Sequence, residues 1–133
     1  YKGVQDANAT LLVYGWKLID AYQPSTGDAR LLMAPTAQTN TGTDISELRL
    51  LIGTTDRRYT LPSSCVGAAV YGNALYAFSS DYLYKTDIST QKFYAYSIPV
   101  PDGSAVTRFL GLTSGGRAIL ACGDTVYTVT LPE

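Results

Sequence analysis

Catalysis needs side chains that move protons, attack carbon or phosphorus, or hold a metal, and this sequence is poor in them. It contains no histidine. That removes Ser-His-Asp and Cys-His activation, imidazole acid–base work and most zinc sites. Two cysteines, Cys65 and Cys122, stand 57 positions apart (122 − 65) and cannot build a thiolate metal cluster alone. No glycine-rich phosphate loop with its lysine follows an expected strand, Thr113 to Arg117 included, and the EF-hand spacing is absent. Carboxylates remain. Asp20, Asp28, Asp81, Asp87, Asp102 and Asp124 all fall at expected turns. A catalytic pair needs two carboxyl groups within about 5–10 Å of each other in one cleft, but a turn aspartate ordinarily bonds nearby backbone. The expectation is a chain that is not an enzyme and carries no cofactor and no metal.

Binding chemistry is better supplied. Trp16, Tyr82 and Tyr84 offer flat aromatic faces, and Asp81 a turn carboxylate that could take sugar hydroxyls. These four are the candidate binding residues. The competing reading is packing, since tyrosines alternating along a strand are commonly half-buried. Cys65 and Cys122 could close a disulfide in an oxidising compartment, worth roughly 3–4 kcal/mol by chain entropy; two buried free thiols are the alternative. Asn8-Ala9-Thr10 is a glycosylation acceptor pattern.

The elements that would position these residues are short strands. Ala74 to Phe78 is an apolar run too short for a stable helix. The turn Ser79-Ser80-Asp81 follows, then Tyr82 to Thr86, then a second turn over Asp87 to Gln91, and a third strand Phe93 to Ile98 stopped by Pro99. Val66 to Tyr71, closed by Gly72-Asn73, adds a fourth strand in front. Downstream, Ala118 to Ala121, Gly123-Asp124 and Thr125 to Thr128 mirror Ala74 to Lys85 with one residue deleted at the turn. Leu75 then matches Ile119, 44 positions on, with Arg108 to Leu112 in the place of Val66 to Tyr71. Upstream, Thr10 to Pro35 aligns with Ala74 to Pro99 at an offset of 64, a weaker match.

Between these units, strands are expected over 11–15 and 17–22, then the turn Gln23 to Asp28 and a returning strand Ala29 to Met33. Ala34 to Thr43 is small and polar throughout and reads as a long exposed loop. Asp44 to Ile52 fits either a capped helix or a strand, and the strand is favoured because Gly53 to Asp56 then makes a hairpin into Arg57 to Leu61. Pro62-Ser63-Ser64 is expected to end that strand. Tyr1 to Ala9 reads as an extended arm or pairing strand, and the chain closes on Val126 to Leu131.

At 133 residues the chain has the size of one domain, 1–133. Charged residues make up 16% and the net charge is −1, with only Arg57-Arg58 adjacent among the basic residues. That excludes the clustered basic face of a nucleic-acid binder and gives little protection against self-association. No apolar run approaches the length of a membrane span. Tyr1-Lys2-Gly3-Val4 is not a secretory signal and carries no initiating Met, so a processed form, a piece of a longer chain or an incomplete sequence is expected. The composition, with 11 tyrosines, suits an extracellular, cell-surface or virion setting.

The hydrophobic hairpin Leu75 to Phe78, the turn Ser79 to Asp81, the strand Tyr82 to Thr86 and the turn Asp87 to Thr90 resemble the blade repeats of β-propellers of the kelch or quinoprotein-like kind. The resemblance runs over residues 66–133. It departs from those families in lacking the kelch Gly-Gly pair in the central unit and any Trp-Asp dipeptide, so no functional residue is carried over. It implies four-stranded blades of about 40–45 residues, of which 133 residues hold three at most, fewer than a closed ring needs. The fold class expected is all-β: an antiparallel meander of eight to eleven short strands in propeller-blade-like units, the alternatives being a β-sandwich or small barrel. The function expected is a structural or interaction module of an extracellular or virion assembly, such as a phage tail or surface filament. It would associate with itself or with other subunits through strand edges and Tyr-rich faces. The alternative is a lectin-like domain that binds glycans.

Overall fold

A computed structural model describes residues 14–41, 44–100 and 105–132. Within them the chain is all-β. Eleven strands follow one another: β1 (Trp16–Tyr22), β2 (Arg30–Pro35), β3 (Ile45–Ile52), β4 (Thr55–Cys65), β5 (Gly67–Tyr71), β6 (Ala74–Phe78), β7 (Tyr82–Asp87), β8 (Tyr94–Ser97), β9 (Arg108–Leu112), β10 (Arg117–Cys122) and β11 (Thr125–Thr130). They pair only with their sequence neighbours, antiparallel, in three sheets: β1-β2-β3-β4, β5-β6-β7-β8 and β9-β10-β11. The meander follows from the turns. Ile52 pairs with Thr55, Tyr71 with Ala74 and Cys122 with Thr125. Each pair encloses two residues, the first a glycine at φ near +60° (Gly53, Gly72, Gly123). This is the tight hairpin geometry whose twist matches the flanking strands.

Alternation then decides the layering. Along β6 every residue is buried. Leu75 and Ala77 point one way, with Ala68, Val70 and Tyr84, into a core shared with Leu32, Ala34, Leu48, Leu50, Tyr59 and Leu61 of the first sheet. Ala74, Tyr76 and Phe78 point the other way, with Leu83, into a second core containing Ala118, Leu120 and Leu131. The middle sheet is thus covered on both faces, each fully buried large side chain contributing roughly 1.5–3 kcal/mol. The first strand of each sheet meets the next: β5 lies against β1 on one side and β9 on the other. At the first junction Asp20, at a bulge in β1, accepts the Val70 backbone N–H at 2.9 Å. At the second, Phe109 stacks on Phe78 at 4.5 Å and 13°, its Cβ lodged where Gly67 has no side chain.

Several expectations are corrected. Ala34 to Thr43 is not simply an exposed loop. Ala34 is fully buried in β2, and Thr36–Thr41 forms a short helix, α1. Gln38 fastens α1 to β3 through two hydrogen bonds with Ser46. Pro62 does not end its strand; β4 runs through it to Cys65. β4 is an edge strand, and its register shifts between Ile45 and Glu47 of β3, which are the circumstances in which a strand accepts proline. Of the two strands read over 11–15 and 17–22, the second is β1, while Tyr14 and Gly15 form a turn before it; residues 11–13, the Tyr1 to Ala9 arm and Asn8 lie outside the described residues.

The repeat also changes register. Leu75 faces the first core, whereas Ile119 lies on the opposite face from Ala118 and Leu120, so the 44-residue match sets inward against outward positions. The strand pairings superpose without a gap one residue closer. Leu75↔Thr86 and Ala77↔Tyr84 correspond to Ala118↔Val129 and Leu120↔Tyr127, an offset of 43 (118 − 75) that also brings Asp81 onto Asp124. The upstream offset of 64 fails, because it places Trp16–Tyr22 on Ser80–Thr86 and so β1 largely on β7, whereas β1 occupies the position equivalent to β5. The described residues do not close into a ring or barrel.

A Cβ at Gly67 would sit 2.5 Å from the Cβ of Phe109. Gly67→Ala is therefore expected to destabilise the protein by about 1–3 kcal/mol in urea melts. Added to Phe109→Gly, which removes both the clashing Cβ and the ring, it should cost clearly less; strict additivity would contradict this packing.

Candidate functional site

The four residues singled out from the sequence do not converge. Trp16 opens β1 on the face of the first sheet turned away from the second. The guanidinium groups of Arg49 and Arg58 lie over its ring at 5.5 and 5.0 Å. These two cations are directly opposite each other across β3 and β4, an unfavourable pairing. Arg49 is balanced by a forked pair of hydrogen bonds to Asp56 at 3.0 and 2.7 Å, which holds the Asp56 carboxyl below its ordinary pKa. The indole ring is already engaged by cations and is not a free platform for stacking a sugar.

Tyr84 lies in the core on the other side of the first sheet, its hydroxyl 2.9 Å from Ser63 Oγ. Tyr82 is partly exposed, with its ring 6.2 Å from that of Tyr84. Asp81 shapes the β6–β7 turn, its Oδ1 accepting from the buried Ser79 hydroxyl at 3.3 Å. The same turn anchors later chain, since Ser80 O accepts from Val106 N–H and Asp81 O from Ile98 N–H. Asp81 and Asp87 stand at opposite ends of β7, about 20 Å apart at strand rise, too far to share a substrate atom. No group of three or more acidic, cysteine or histidine side chains suited to a metal occurs among the described residues.

The cysteines are free thiols in separate places, Cys65 in the core between the first and second sheets and Cys122 against the core between the second and third. Of the two alternatives left open by the sequence, a disulfide or two free thiols, the structure has the thiols free. Burial, reinforced by the Asp44 charge, pushes the Cys65 thiol up to about 12.

Two features stand out that the sequence did not single out as sites. One is a polar groove of about 510 Å³ at the mouth of the first core, lined by Arg30, Ile52, Thr55, Arg57, Asn73, Asp87, Ile88 and Ser89. Its trace in the sequence was the Arg57-Arg58 pair. Strand alternation sends Arg58 over Trp16 and Arg57 into the groove. The other is the face of the third sheet turned away from the second. Val126 there is 58% exposed and Ile119 half-buried, next to Arg117, which donates to the Thr128 and Thr130 hydroxyls. Beyond β11 the described residues supply no fourth strand. Comparison with protein-family models and with curated proteins finds no match.

Because burial suppresses ionisation of Cys65, iodoacetamide at pH 8 should add to Cys122 and leave Cys65 untouched until the protein unfolds. Equal labelling of both would contradict the packing. The unfolded Cys65 thiol ionises near pH 9, the folded one only near 12. Its contribution is fully present below about pH 9 and declines as pH rises toward 12. Cys65→Ala should flatten that alkaline loss in thermal melts.

Proposed function

We propose that this protein is a non-enzymatic interaction module whose row of blade-like sheets is extended by docking a further antiparallel sheet against the third. The observation that carries the reading is the contrast between the two faces of that sheet. One face buries Ala118 and Leu120 against the middle sheet. The other presents Ile119 and Val126 to solvent beside the outer edge of β11, which has no partner among the described residues. An apolar sheet face next to an open edge favours another sheet from a protein partner. The occupant is a second copy of this chain or a neighbouring subunit of the same assembly, in the extracellular or virion setting that the composition suits. The likeness to propeller blades supports this reading, since such blades are stable in series, each covering the face of the last.

The glycan-binding alternative built on Trp16, Asp81, Tyr82 and Tyr84 is not favoured, because Trp16 lies apart under Arg49 and Arg58 and Tyr84, though its ring meets that of Tyr82, is in the core. Light scattering behind size-exclusion chromatography tests the assembly reading. The wild-type chain should grow in mass with concentration, and Val126→Lys and Val126→Glu should each return it to monomer without lowering its melting temperature. A monomer at every concentration, indifferent to both substitutions, would count against the proposal.

A further inference from the structure

The groove at the mouth of the first core gathers two arginines from different strands. Arg30 and Arg57 both line it, from β2 and β4. Neither is in an ion pair; the sole ion pair among the described residues is Arg49–Asp56. Each is steadied from the second sheet by a backbone carbonyl. Arg30 Nη1 donates to Gly72 O, and Arg57 Nη1 donates to Ile88 O at 3.2 Å. Tyr59 also donates to Ile88 O, at 2.7 Å, and the Tyr22 ring lies under the Arg30 guanidinium at 5.9 Å. Arg30 Nε is buried with no hydrogen-bond partner. Leaving a guanidinium nitrogen dry and unpaired is costly, and it persists here beside an open cavity.

We propose that this groove binds an acidic sugar residue: a hydroxyl-rich small molecule carrying one negative charge. Two guanidinium groups and the single carboxylate of Asp87 leave the site one positive charge in excess, which a monoanion neutralises. Planar guanidinium forks match the two oxygens of a carboxylate. Asn73, Thr55, Ser89 and Asp87 supply donors and acceptors for hydroxyls, and Ile52 and Ile88 an apolar patch for the ring. A volume of about 510 Å³ lies within the range of small-molecule sites. This site is independent of the third-sheet face, so either can fail without the other.

The test is an amide NMR titration of the whole chain with glucuronate, with glucose and inorganic sulfate as the comparisons. Glucuronate should give saturable shifts at Gly72, Asn73, Ile88 and Ser89, and glucose none. Arg30→Gln and Arg57→Gln should each weaken binding about tenfold or more, Arg57→Lys less so. Arg58→Gln, on the opposite face, should leave binding unchanged. Dispersed spectra of the variants guard against misfolding. Three results would overturn the proposal: no saturable shift with glucuronate, undiminished affinity in a folded Arg57→Gln, or sulfate binding as tightly as glucuronate.

Discussion

One short strand is asked to be apolar on both sides, and the described architecture depends on it. β6 carries Ala74-Leu75-Tyr76-Ala77-Phe78, all buried. Such a strand is stable only with a layer on each face. The first sheet supplies one layer and the third the other, so two separate cores are joined through a single sheet. A small residue sets the spacing. Gly67 leaves room for Phe109 to lie on Phe78.

The two ends of the row differ in chemistry. On the far face of the first sheet, Trp16, Arg49, Arg58 and Asp56 make a cation–aromatic cluster with an ion pair, a surface that tolerates water. On the far face of the third, Val126 is exposed and no ion pair among the described residues lies over it. The described row is therefore charged and aromatic at one end and partly apolar at the other. The polar features sit at the mouths between sheets, where strand ends and hairpin turns bring backbone carbonyls close to arginine side chains.

The fold class was legible in the sequence because its signals are local. Gly72-Asn73 and Gly123-Asp124 mark hairpins, and five-residue apolar runs cannot be helices. The strand over Ile45–Ile52 was recovered on the same logic. Register was harder. The hairpins of the second and third sheets resemble each other at offsets of 43 and 44, and only the direction of Leu75 and Ile119 relative to the cores decides between them. Pro62 misled because its meaning depends on whether a strand is central or at an edge, which is a tertiary fact. The groove was invisible for a related reason. Arg30, Arg57, Asn73 and Asp87 come from two sheets, and no spacing along the chain announces that their turns meet. Trp16 and Tyr84 were plausible binding residues by type, and their partners, two arginines and Ser63, are likewise distant in sequence.

The central claim is that the middle sheet is a buried slab shared by two cores, and native-state hydrogen exchange measures this most directly. Amides of β6, Leu75 to Ala77, should exchange slowest and open only with global unfolding, while those of β11 should exchange faster through local opening. Exchange from β6 as fast as from β11, in protein shown to be folded, would contradict the account.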